Sequence, residues 1–168
     1  MNLAGYYPES INEGPGVRAV LFISGCRHAC PGCFSPHTWS FRAGVPLDLD
    51  KQRELLEDMQ GNPLLQGVTL CGGDPFYSAK ELAPFVAEIR RSLPHFDVWS
   101  YTGFTFEQLR EREDMLELLQ LCDVIIDGRF VEEQKDLTLL YRGSSNQRIL
   151  DVKASLAQRK AVAAPGFL

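Results

Sequence analysis

Cys26, Cys30 and Cys33 fall within eight consecutive positions, in Ser24-Gly25-Cys26-Arg27-His28-Ala29-Cys30-Pro31-Gly32-Cys33. Thiolates are soft ligands that select iron–sulfur clusters, zinc or Cu(I). A CxxxCxxC set supplies three of them, one fewer than a four-iron cluster needs, so a cluster held here keeps one iron open to a ligand from outside the chain. Pro31 and Gly32 oppose a regular helix, which predicts a loop wrapped around an inorganic core. Two other readings stay open on spacing alone: a structural zinc completed by His28 or His37, and plain reduced thiols.

A second group, Gly72-Gly73-Asp74, follows a short apolar run. Paired glycines let backbone carbonyls and amides approach a ligand closely, and a carboxylate beside them can pair with an ammonium group. Taken alone, the same residues also fit a tight turn with Asp74 beside a helix N-terminus. Thr102 and Asp127 sit at two further strand ends, where they could orient a ligand or a cation or simply bond to the strand ends. Arg18 is placed to pair with a buried carboxylate. Cys122 reads as a small buried hydrophobe, Cys71 has no assigned role, and His95 reads as loop surface.

These groups need elements to position them. Residues 17–23 are β-favouring and apolar on both faces, as in a buried parallel strand. Residues 49–59 carry apolar positions at helical spacing and stop at Gly61-Asn62-Pro63. A strand over 67–71 leads to the glycine pair, and a helix capped by Ser78 runs to about residue 93. The unit recurs with a strand over 96–101, a helix begun by Thr105 with Gln108 near its start, and a strand over 122–126. Residues 136–142 and 147–152 offer a further strand or an edge hairpin.

Alternating strands and helices define an α/β chain with parallel strands and right-handed crossovers. A full eight-stranded barrel usually takes ~250 residues, so 168 residues leave an open twisted sheet or a partial (β/α) barrel with parallel strands, the favoured reading being a partial barrel of about five or six strands. The candidate groups all follow strand C-termini, which share one rim in such folds.

One domain over 1–168 is expected, with a Gly- and Pro-rich loop over 1–16 and a mobile tail over 154–168. A net charge of −5 argues against a nucleic-acid partner. The start of the chain lacks the pattern of a signal peptide, and no apolar run reaches the ~18 residues of a membrane span. Five cysteines, three of them crowded together, suit metal or redox chemistry in a cytoplasmic protein better than a disulfide framework.

The cysteine loop followed by Gly72-Gly73-Asp74 resembles the radical S-adenosylmethionine (SAM) superfamily. Within it, Tyr6-Tyr7-Pro8, Gly14-Pro15-Gly16-Val17-Arg18, Cys30-Pro31-Gly32-Cys33, Asp127-Gly128-Arg129-Phe130 and Arg142-Gly143-Ser144-Ser145-Asn146-Gln147-Arg148 resemble the activators of anaerobic ribonucleotide reductase. Gly32 stands where the wider superfamily usually has an aromatic residue, and Asp74 where it usually has Glu.

The resemblance implies a radical SAM fold and one 4Fe–4S cluster on Cys26, Cys30 and Cys33, with S-adenosylmethionine at the open iron. It places Gly32, Cys33, Phe34, Gly72, Gly73, Asp74, Thr102 and Asp127 around that ligand, with Asp74 on its amine and Phe34 beside its adenine. Reductive cleavage would yield methionine and a 5′-deoxyadenosyl radical, which takes a hydrogen from a glycine of the reductase. The implied partners are that reductase, docked through Arg142, Ser144, Asn146 and Arg148, and an electron donor such as flavodoxin or ferredoxin. The competing readings are an activator of another glycyl radical enzyme, such as formate acetyltransferase, and a non-catalytic zinc-binding module.

Overall fold

The computed structural model describes residues 1–167. Its framework is one seven-stranded sheet of β1 (Asn2–Ser10), β2 (Arg18–Ile23), β3 (Val45–Pro46), β4 (Gly67–Gly72), β5 (Asp97–Tyr101), β6 (Val124–Asp127) and β7 (Arg148–Asp151), in the order β3-β1-β2-β4-β5-β6-β7. The β2-β4-β5-β6 centre is parallel, as the strand–helix alternation predicts. Both flanks are antiparallel: β1 and β3 on one side, β7 on the other. The expected sheet of parallel strands is therefore corrected to a mixed, open sheet.

The expected N-terminal loop is also corrected. Residues 2–10 form β1, the longest strand, because pairing with β2 overrides a local composition that includes Gly5 and Pro8. The register slips between Tyr7 and Ser10, so Pro8, which has no N–H to give, falls at an irregularity of the ladder.

Side chains alternate across the sheet. Ala19, Leu21, Ile23, Val68, Leu70, Val98, Ile125 and Leu150 share one core with the buried residues of α1 (Leu49–Gln60), α2 (Ala79–Ser92), α3 (Phe106–Arg110) and α4 (Glu113–Gln120). Val152 of α5 (Val152–Gln158) joins the same core. The opposite face holds a smaller cluster of Trp99, Ile126, Ile149 and Ala164, and no helix joins it. A doubly wound sheet would carry helices on both faces. Here one face is left to loops.

The helix expected from Thr105 is two helices, α3 and α4, parted at Glu111-Arg112. Neither residue is Gly or Pro, so composition does not announce the break. Thr105 and Gln108 form the capping box that their spacing suggests. Ser78 stands at the N-cap of α2 without a side-chain bond, and Asp74 instead caps the short turn before it by accepting from Phe76 N.

The tail expected to be mobile packs against the sheet. After Arg159 the chain returns beside β7, where Asp151 N donates to Val162 O and Ala164 N to Ile149 O, both at 2.9 Å. Phe167 then lies edge-on to Trp99, with ring centroids 5.9 Å apart. Leu168, the last residue of that expectation, lies outside the described residues.

Arg18 is buried at 1% exposure on the loop-covered face. Its guanidinium donates to Thr69 Oγ1 at 2.8 Å and Val68 O at 3.0 Å, and it lies 5.6 Å from the Trp99 ring centroid. The carboxylate it pairs with is Asp97, 2.7 Å away, and that side chain is 45% exposed rather than buried.

Candidate metal centre

The C-terminal ends of β2, β4, β5 and β6 share a rim, and the loops leaving them enclose a cavity of about 620 Å³. Cys26, Cys30 and Cys33 line it, with Gly72 and Gly73 after β4, Thr102 and Gly103 after β5, and Gly128 after β6. Four segments far apart in sequence thus meet at one place. Phe34 and Phe130 stand in its wall with ring centroids 5.0 Å apart, and Gly143 fits against both. Glu13, Cys71 and Tyr101 extend it over the helix-free face.

The cysteine loop is built to hold sulfur at the cavity. All three thiols are free and half-buried. Cys33 Sγ accepts from Trp39 Nε1 and from Ser35 N, each at 3.4 Å, the kind of N–H···S contact that tunes cluster thiolates. Burial pushes the Cys26 thiol up to about 11; the charges of Asp74, Cys30 and Cys33 add to this, and the His28 N–H opposes it. Three sulfurs lining one cavity form an electron-rich set that a cationic iron core stabilises, and the residues fit that group.

A zinc site is poorly served by the same loop. The Nε2 of His28 is 2.7 Å from Asp74 Oδ2, and His37 is exposed on the turn Pro36–Thr38.

Backbone contacts join this loop to the glycine turn. Gly73 N donates to Ile23 O at 2.9 Å and Asp74 N to Gly25 O at 2.8 Å. Gly72 has φ +113°, and a Cβ there would come within 2.4 Å of Ile23 O. A Cβ on Gly73 would stand 2.5 Å from Gly25 O and 2.8 Å from Thr38 O. Gly73→Ala is therefore expected to push the turn off the cysteine loop and cost about 1–3 kcal/mol. Urea unfolding of the cluster-free protein measures it, and unchanged stability would contradict the close approach.

Asp74 does not stand where the sequence reading puts it. The side chain is 1% exposed, and its oxygens are taken by protein donors: Phe76 N on Oδ1, and His28 Nε2, Thr102 Oγ1 and Gly103 N on Oδ2, all within 3.0 Å. It is a hub between three loops rather than an open carboxylate at the cavity.

Asp127 likewise turns away. It is buried, accepts from Phe106 N at 2.7 Å, and takes both ends of the Arg148 guanidinium at 3.0 and 2.6 Å. Together they line a neighbouring polar cleft of about 460 Å³. Arg148 also reaches Glu107, whose carboxyl it holds below the ordinary range.

The expected docking set changes accordingly. Ser144 is fully buried, Arg148 is committed to Asp127 and Glu107, and the amide of exposed Asn146 donates to Arg129 O. Arg142 lines the cavity and donates to Gln147 O. The segment folds back on itself as a wall of the cavity instead of presenting these side chains outward. Trp39 and Glu13 belong to the site and carry no spacing signal that could have found them, while Phe130 and Tyr101 fall in segments already placed at strand ends.

The thiols should react in a graded order. In cluster-free protein, Cys30 and Cys33 are expected to alkylate first and Cys26 more slowly. Cys122, buried with its thiol pushed up to about 12 by burial, should react only on unfolding. Mass spectrometry over a time course reads the order, and early labelling of Cys122 would contradict its packing.

Three thiols on one loop, at a cavity ringed by strand ends, have the chemistry of an iron–sulfur ligand set. Residues 12–150 match the family described as "4Fe-4S single cluster domain". A protein of Haemophilus influenzae is 41% identical over 152 residues, covering 89% of this chain and 97% of its own length. An Escherichia coli K12 protein is 37% identical over 150 residues, covering 88% and 96%. One from Enterobacteria phage T4 is 38% identical over 151 residues, covering 89% and 93%. All three bear the name anaerobic ribonucleoside-triphosphate reductase-activating protein, and the chain belongs to this family.

Proposed function

We propose that this chain activates an anaerobic ribonucleoside-triphosphate reductase, holding a 4Fe–4S cluster on Cys26, Cys30 and Cys33 and S-adenosylmethionine at the open iron. The observation that carries the reading is the meeting of three thiols with the Gly72-Gly73 turn at one cavity, in a chain whose relatives bear that name. When bound, the cluster and its ligand supply one-electron cleavage of the sulfonium and, from it, hydrogen abstraction from a glycine of the reductase.

The chain's own residues bind and orient. The backbone at Gly72 and Gly73 can approach the methionyl headgroup because neither residue carries a side chain. Phe34 and Phe130 offer apolar rings to the adenine. Trp39 and the Ser35 amide hold the Cys33 sulfur from the protein side. The low potential needed to reduce a sulfonium lies at the bottom of the range that clusters span, and sulfur hydrogen bonds and exposure are the means of setting it.

The open sheet reads as a partial barrel, with helices on its outer face and the cavity on its inner one. An unclosed side suits a protein substrate, whose loop needs a way in. No helix among the described residues is long and apolar enough to cross a membrane, and an intracellular, oxygen-free setting with flavodoxin or ferredoxin as donor fits the chemistry.

The test is direct. The protein, reduced anaerobically and mixed with reductase and S-adenosylmethionine, should produce a glycyl radical doublet in the electron paramagnetic resonance spectrum. A doublet on formate acetyltransferase and none on the reductase would overturn the assignment.

A further inference from the structure

The cysteine loop is fastened at its base by the backbone: Gly25 N donates to Thr38 O and Cys26 N to Trp39 O. Beyond Cys26, the backbone bonds within the loop reduce to Cys33 N on Cys30 O. The middle of the loop, between the first two thiols, is held by a side chain. His28 reaches 2.7 Å to Asp74, both side chains nearly inaccessible, at 3% and 1% exposure. Asp74 follows Gly72-Gly73 directly, and the same Oδ2 takes Thr102 Oγ1 at 3.0 Å and Gly103 N at 2.8 Å.

Packing alone would not select histidine at this position. Its ring lies between Tyr77 and Phe104, with centroids at 5.2 and 4.6 Å, surroundings that a phenylalanine would share without a polar atom to bury. Nδ1 is buried with no protein partner, a cost that an apolar ring would not carry. The imidazole is retained for its Nε2.

We propose that His28 is a positioning residue: its bond to Asp74 sets the middle of the cysteine loop in register with the Gly72-Gly73 turn, and so aligns the cluster with the S-adenosylmethionine headgroup. This rests on the function proposed above. The three thiols lie in one continuous loop, so holding the cluster depends on the loop itself. Binding the second ligand depends on two separate segments standing in the right relation. Breaking the latch should spare the first and harm the second.

His28→Phe, reconstituted anaerobically, should hold iron and sulfide as the unsubstituted protein does. It should bind S-adenosylmethionine about 10- to 100-fold more weakly by calorimetry, the scale of one lost hydrogen bond to a charged group. The change that this ligand causes in the resonance spectrum of the reduced cluster should shrink in parallel. His28→Gln, which keeps an N–H donor of similar reach, should recover most of the affinity.

Gly103→Ala attacks the latch from the other side, since its Cβ would come within 2.5 Å of His28 Cδ2 and 2.7 Å of Nε2. It should reproduce the loss, and it decides the matter if His28→Phe does not fold. Equal affinity in the His28→Phe and unsubstituted proteins at equal iron content would overturn the latch. So would iron loss matching the affinity loss in every variant. If the unsubstituted, loaded protein binds no S-adenosylmethionine, it is the proposed function that fails.

Discussion

Alanine at Cys26, Cys30 or Cys33 is expected to give a folded protein that holds no stable cluster and yields no glycyl radical. Cys122→Ala should keep both. The contrast follows from where the thiols stand. The three in the loop open on the cavity and contribute nothing to the buried core, whose clusters lie on the sheet and helices. Removing one therefore leaves the fold intact while taking away one of the three thiols proposed to hold the iron.

Cys122 is 5% exposed within the core, and truncating it removes packing, at about 1 kcal/mol, without touching the site. Iron and sulfide per chain, the visible absorption of the reconstituted protein and far-ultraviolet circular dichroism separate the two classes. A loop-cysteine variant that keeps full iron would sink the three-thiol assignment.

Arg18→Ala is expected to lower the unfolding free energy by about 3–5 kcal/mol, a large part of the roughly 5–15 kcal/mol that holds a domain together. The cause is not the ion pair itself. Asp97 is 45% exposed as a whole, the Oδ1 that meets Arg18 is buried, and Asn keeps an oxygen for that place, so Asp97→Asn should cost only about 1 kcal/mol.

Arg18 matters because its guanidinium satisfies Thr69 Oγ1, Val68 O and the Asp97 carbonyl where β2, β4 and β5 lie side by side. Truncation strands those groups in an apolar setting and leaves a void beside Trp99. Urea denaturation of the two variants measures the difference, and equal small losses would show that the guanidinium is replaceable by water.

Much of this was legible in the sequence because it lay in local patterns. The apolar runs gave the four parallel strands, since a strand buried on both faces has little else it can be. The cysteine spacing narrowed the candidates to a cluster, a zinc or reduced thiols, and the resemblance chose among them. What stayed hidden depended on partners distant in the chain. β1 looks like a loop until β2 is beside it. Asp74 looks available to a ligand until His28, 46 residues away, is seen to occupy it. Asp127 reads as a ligand contact or a strand-end bond and Arg148 as a docking residue, and only their meeting across the β6–β7 pair shows that they are spent on each other. The break at Glu111-Arg112 leaves no compositional trace at all.

The two borders of the sheet carry a consequence for how other chains can approach. A strand with a bare flank invites a second chain to continue the ladder, whether in recognition or in aggregation. At one border β3 is two residues long and ends in Pro46, which offers no N–H. At the other, the residues around Val162 and Ala164 already occupy the outer side of β7. Beyond Leu3, though, β1 has no strand on its outer flank among the described residues, and Pro8, with no N–H to give, interrupts that stretch. A second chain that continued the ladder would therefore have to meet β1 between Ala4 and Ser10 and bridge the missing donor of Pro8, whereas the β7 border is already taken.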